Sequence, residues 1–168
     1  FMDSVTGELG DTHELTARAR RYANDVIYGD EWPLTADHVD LEDVTFETST
    51  RMQRKHGLCT TNRDTGCTIR LSQKTANRAG IESIEETIRH ELVHAYQHQI
   101  ENLEMGHGPS FKRWLGPLNL SGRCSEHYAV QEGDYNYTFY CATCGFIGGR
   151  YRMCKTVRAA LADDLYCQ

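Results

Sequence analysis

Four histidines fall in the stretch RHELVHAYQHQIENLEMGHGPSF, residues 89–111, and two of them bracket a glutamate as His90-Glu91-Leu92-Val93-His94. On a helix, residues four apart lie roughly 40° from each other around the axis and one turn apart along it. Two imidazoles so placed can converge on one metal ion. Glu91 does not share their direction, but it can reach a water that such an ion activates. This is the logic of a His-Glu-x-x-His zinc site: two ligands, and a carboxylate that accepts a proton. The plain alternative is a solvated helix face that happens to carry histidines.

Such a site needs a third protein ligand and an open position. His98 follows His94 by four residues, but it lies about 12 Å along the helix axis from His90. One ion at about 2 Å from each ring nitrogen cannot take all three, so His98 is read as a surface residue. His107 sits between Gly106 and Gly108, where the backbone can turn sharply. The 12 residues separating it from His94 let the helix finish and the chain return, and Pro109 opens a new element behind it. His107 is the better candidate for the third ligand; the plain alternative is a histidine in an ordinary glycine turn.

The elements that must position these side chains are legible from pattern. Asp11-Thr12-His13-Glu14 reads as a capping box. Leu15, Ala19, Tyr22 and Val26 follow it at helical spacing, and Tyr28-Gly29-Asp30 ends the helix. Residues 30–42 are acidic and read as a connector. Residues 44–49 alternate as a half-buried strand. The segment HGLCTTNRDTGCTIRLS reads as a β-hairpin, with Cys67, Ile69 and Leu71 on one face and turn chemistry from Asn62 to Gly66. Cys59 and Cys67 are expected across from each other as a buried reduced pair. Ser83-Ile84-Glu85-Glu86 looks like a second capping box, so the histidine helix is expected over about residues 84–103. Its apolar stripe of Ile84, Ile88, Leu92 and Ala95 spans roughly 80°, while His90 and His94 sit at roughly 240° to 280°, on a polar face. A short helix after Pro109 would bury Phe111, Trp114 and Leu115. The tail predicts two short strands around a cysteine knuckle, then a last helix over residues 155–165.

HELVHAY followed by GHGPSF resembles the SprT-like metalloprotease family, which includes the Spartan-type DNA–protein crosslink proteases. GLCTTNRDTGCTIRLSQKT is similar to that family's hairpin before the catalytic helix. The resemblance covers about residues 44–116 well. It implies an α+β, zincin-like domain: a small sheet, whose edge strand can hold an extended peptide, beside the helix carrying the motif. It also implies that His90, His94 and His107 hold a catalytic zinc, that Glu91 is the base, and that the substrate is protein attached to DNA. The spacer from His94 to His107 looks a little shorter than in the animal members, which shortens a loop and removes no ligand.

Cys141-Ala-Thr-Cys144-Gly145 is a knuckle that can offer two thiolates to a second zinc. Many SprT-like proteins carry a C-terminal zinc ribbon with two Cys-x-x-Cys pairs. Here Cys167 is followed only by Gln168. Either the last ligand is missing, or Cys154 takes its place, or Cys124 and His127 join the knuckle. The alternative is a pair of reduced cysteines without metal. Arg150, Tyr151, Arg152, Lys155 and Arg158 surround the knuckle, where phosphates can pair with Arg and bases can stack on aromatics. This makes them the candidate contacts to single-stranded or damaged DNA. A small ribbon that uses its aromatics as core is the competing reading. The expected division is residues 1–120 for the protease domain and 121–168 for a zinc-ribbon-like subdomain.

Composition sets the bounds. The 168 residues carry a net charge of −6, with 39% hydrophobic residues, which fits a folded globular protein. Residues 1–50 hold 12 acids and 3 bases, whereas residues 141–168 hold 4 bases and 2 acids. A nucleic acid should therefore avoid the N-terminal third. The overall acidity argues against a strong non-specific DNA binder. Only 4 of the 18 basic residues are Lys, a balance that would suit a high-salt cytoplasm where charge is screened. Seven cysteines with no recognisable secretion signal in FMDSVTGELGD point to a reducing compartment and to metal binding. The expected location is intracellular, nucleoid-associated or nuclear, and no apolar run predicts a membrane span. Oligomeric state is not readable. Two rival functions stand beside the peptidase: a zinc-stabilised nucleic-acid-binding module with an idle site, and a peptidase without a DNA role.

Overall fold

The computed structural model describes residues 10–62, 64, 66–121, 132–141 and 145–162. The chain divides into two compact units, residues 1–129 and 130–168.

In the first unit, helix α1 spans Thr12–Tyr28 and is capped by Asp11, whose carboxylate accepts from the backbone N–H groups of His13 and Glu14. It buries Leu15, Ala19, Ala23, Val26 and Ile27, with Tyr22 packed at the margin of that stripe. The acidic connector is more than a linker. Leu34 and Val39 within it are fully buried, and the His38 ring stands edge-on against Tyr96 and Trp114. Gln99 clasps Asp40 through both its backbone N–H and C=O, at 2.8 and 3.0 Å.

Strands β1 (Val44–Ser49), β2 (Gly57–Asn62) and β3 (Gly66–Ser72) form one sheet in the order β1-β3-β2. β1 runs parallel to β3 and β2 antiparallel to it, which leaves β2 at an edge. Strand side chains alternate between faces. Accordingly Val44, Phe46, Cys59, Cys67, Ile69 and Leu71 are all buried on one face. The other face carries Glu47 and, directly opposite it, Arg70, paired at 2.8 Å and largely exposed, so the pair contributes little to stability. The register opposes Cys59 to Ile69 and Cys67 to Thr61. The two thiols are therefore diagonal neighbours rather than directly opposed. Both are buried and unbridged, and hydrogen bonding to Cys67 together with burial pushes the Cys59 thiol up.

Two helices follow where one was expected. Helix α2 (Gln73–Ala79) is capped by Ser72, and helix α3 (Ile81–Gln99) begins after Gly80. Gly80 has φ +85°, a left-handed conformation that closes α2 and redirects the chain without the steric cost a Cβ would bring. Ser83 thus lies inside α3, and the helix ends at Gln99, not near residue 103. The wheel reading of α3 also needs correction. Every residue from Glu91 to Gln97 is buried, including His94, because α1, the sheet and helix α4 (Pro109–Lys112) all pack against this helix.

α3 lies close against β2 at Gly57. A Cβ there would stand 2.6 Å from the Thr87 methyl and 3.3 Å from Glu91 Cγ. Overpacking of this kind typically costs about 1–3 kcal/mol. Gly57→Ala is therefore expected to lower the unfolding free energy, read from a urea titration, by that amount. An unchanged unfolding free energy would mean that the Thr87 and Glu91 side chains give way at no cost.

The second unit holds an antiparallel hairpin, β4 (Tyr137–Cys141) and β5 (Gly145–Arg150), with Cys141 opposite Gly145. Helix α5 (Lys155–Leu161) follows, matching the start of the expected last helix. Cys124, His127, Cys144 and Cys167 lie outside the described residues. Among the described residues, no helix is long and apolar enough to cross a membrane.

Candidate metal centre

His90 and His94 occupy successive turns of α3, and His107 approaches from the Gly106–Gly108 turn ahead of α4. One ligand atom from each can be chosen so that all lie within 4.8 Å of one another. The His90 and His107 Nε2 atoms are 3.0 Å apart, and the three ring centroids stand 4.9–5.0 Å from each other. Three imidazoles that bring their nitrogens this close together match the donor set of a divalent ion of zinc type. His98 does not join them. It lines a groove with Asp40, Glu42 and Asp43.

Phe111, fully buried, underlies the cluster. Its ring centroid is 4.6, 5.0 and 4.6 Å from those of His90, His94 and His107, and it is stacked on His94. Burial, reinforced by the neighbouring imidazoles, depresses His90 to about 3. Burial also lowers His94, partly offset by its bond to Gln97. His90 and His94 are thus biased toward the unprotonated form, in which imidazole ligates a metal.

Glu91 is buried against β2. Burial raises its carboxyl to about 7, against the opposing pull of a hydrogen bond from the Cys59 backbone N–H and the positive charge of Lys55. A carboxyl poised there can both accept and return a proton near neutral pH. It also ties the histidine helix to the sheet's edge strand.

Sequence reasoning missed Gln97. Its Oε1 lies 2.8 Å from His94 Nδ1 and accepts from the Gly106 N–H at 3.3 Å. Its Nε2 donates to the Gly106 carbonyl and to Ser110 Oγ, each at 2.9 Å. The one available signal was its position, three residues after His94 on the same helix.

Among the remaining candidates, Arg150, Arg152, Lys155 and Arg158 are exposed, and Tyr151 packs its ring 5.0 Å from that of Tyr135. Cys154 precedes α5, its thiol held below the usual value chiefly by the Val157 backbone N–H.

The fold places two histidines of a helix and a third from the following turn around one point, beside a sheet edge, where they could hold a metal ion. Comparison with known proteins is more specific. The SprT-like family profile matches residues 16–129, and the chain belongs to that family. It is also 35% identical over 82 residues to the DNA-dependent metalloprotease SPRTN of Rattus norvegicus and, equally, to that of Mus musculus. These matches cover 47% of this chain but 16% of each relative, so the chain corresponds to a small part of those proteins.

Proposed function

We propose that this chain is a zinc-dependent endopeptidase of SprT type that cleaves proteins bound or crosslinked to DNA. The observation that carries the reading is the convergence of His90, His94 and His107 next to a buried carboxyl, Glu91, on the same helix. The metal held by these three imidazoles would supply Lewis acidity toward a peptide carbonyl and the attacking water. Glu91 takes the proton of that water and passes it to the leaving amine. An intact base of this kind has no use in a purely structural site, which also fills its fourth position with protein.

The edge strand β2 is the natural seat for an extended substrate, since strand addition supplies backbone hydrogen bonds without demanding one sequence. Its bond from Cys59 N–H to Glu91 sets that seat beside the base.

The DNA role rests on the family, on relatives whose name states DNA dependence, and on the basic tail. Arg150, Arg152, Lys155 and Arg158, with Tyr151, form the proposed contact to single-stranded or damaged DNA. Cys141 and Cys144, with Cys167 and Cys154, are the proposed ligands of a structural zinc that would hold this unit as a ribbon. An intracellular site of action, on the nucleoid or in a nucleus, follows from such a substrate.

The test is cleavage of a basic DNA-binding protein by zinc-loaded and chelator-treated protein, with and without single-stranded DNA. Cleavage that needs both zinc and DNA is the expected result. Equal cleavage without DNA would remove the DNA role and leave the peptidase. No cleavage by protein shown to contain zinc would overturn the enzyme reading.

A further inference from the structure

Gln97 is fully buried on α3, in a position where an apolar residue would ordinarily be expected. Its amide orientation is settled by its surroundings. The Gly106 carbonyl can only accept, so the atom 2.9 Å from it must be the Nε2 donor. Oε1 therefore faces His94 Nδ1 at 2.8 Å. An amide oxygen cannot donate, so Nδ1 must carry the hydrogen. That leaves the Nε2 lone pair of His94 free.

The same side chain grips the backbone of the turn that carries His107. It accepts from Gly106 N–H, donates to Gly106 C=O, and reaches Ser110 in the first turn of α4. Gln97 thus hydrogen-bonds both the second histidine and the turn that carries the third.

We infer that Gln97 is a positioning residue of the metal centre: it holds His94 in the Nδ1–H tautomer and fixes the Gly106–Gly108 turn so that His107 meets the helical pair. The inference rests on the zinc reading of the site. It adds a determinant outside the ligand set, and partners of this kind typically govern metal affinity by roughly 10–100-fold.

Two readouts test it, neither of which needs peptidase activity. The first is zinc affinity by chelator competition for wild type, Gln97→Leu and Gln97→Glu. Gln97→Leu keeps the volume and loses every hydrogen bond, and a roughly 10–100-fold weaker affinity is expected. Gln97→Glu keeps an acceptor for His94 but cannot donate to Gly106, so its affinity should fall between the two. The second readout is the His94 tautomer in metal-free protein, from long-range nitrogen–proton NMR. Wild type and Gln97→Glu should show a single Nδ1–H form, and Gln97→Leu a mixture.

Folded Gln97→Leu with wild-type zinc affinity would overturn the inference, as would an Nε2–H tautomer in wild type. The tautomer measurement decides the matter even where Gln97→Leu fails to fold. Should wild type bind no zinc at all, the reading of the site fails, while the tautomer still reports separately on the Gln97 contact.

Discussion

Glu91→Gln is expected to lower kcat/KM for peptide cleavage by at least 10²–10⁴-fold, the usual contribution of a general base, while zinc content stays at the wild-type level. The carboxamide is almost isosteric, and its oxygen can still accept from the Cys59 backbone N–H that the carboxylate now engages. The three imidazoles are untouched. What disappears is the ability to take a proton from water. The variant should also melt no lower than wild type, because it exchanges a buried ionisable group for a neutral one. Metal analysis, thermal melting and steady-state peptidase kinetics on one preparation check all three points. Retained activity with full zinc occupancy would remove Glu91 from the mechanism.

Phe111→Ala should have the largest effect on stability, about 3–5 kcal/mol, as for other deletions of a buried ring. Phe111 lies in the main core and also forms the floor beneath all three histidines. Removing it leaves a cavity and lets the rings tilt, so zinc affinity should fall together with stability. Phe111→Leu, which fills most of the space without a flat surface, separates the two roles. It is expected to cost less than about 1.5 kcal/mol yet still to weaken zinc binding. Urea titration of metal-free protein gives the first quantity and chelator competition the second. A Phe111→Ala loss below about 1 kcal/mol would show that the core closes over the gap.

Much of this architecture was legible because it is written in short-range pattern. Asp11 capping α1, the alternation along β1, and Cys67, Ile69 and Leu71 on one face of β3 each depend on neighbours a few residues away. The break at Gly80 was obscured by Ser83, whose box-like context mimics a helix start while the true boundary lies in one backbone angle. The burial of His94, Glu91 and Gln97 was invisible for a different reason. A helical wheel assigns polar residues to water, but here three other elements close over that side of α3. The connector misled similarly: its acids masked Leu34, Val39 and His38, which pack inward. The cysteine spacing speaks for metal chemistry, but Cys144 and Cys167 fall outside the described residues.

The turn bearing His107 closes a short loop. His90 and His107 are 17 residues apart in the chain. Closing a loop of that length costs about 2.5 kcal/mol of chain entropy. Parallel pairing of β1 with β3 needs a crossing of the chain, and docking of α1 onto α3 draws together segments much further apart. The histidine cluster is thus a local structure set within a fold of longer reach. Once α3 has formed, its third member is one short closure away.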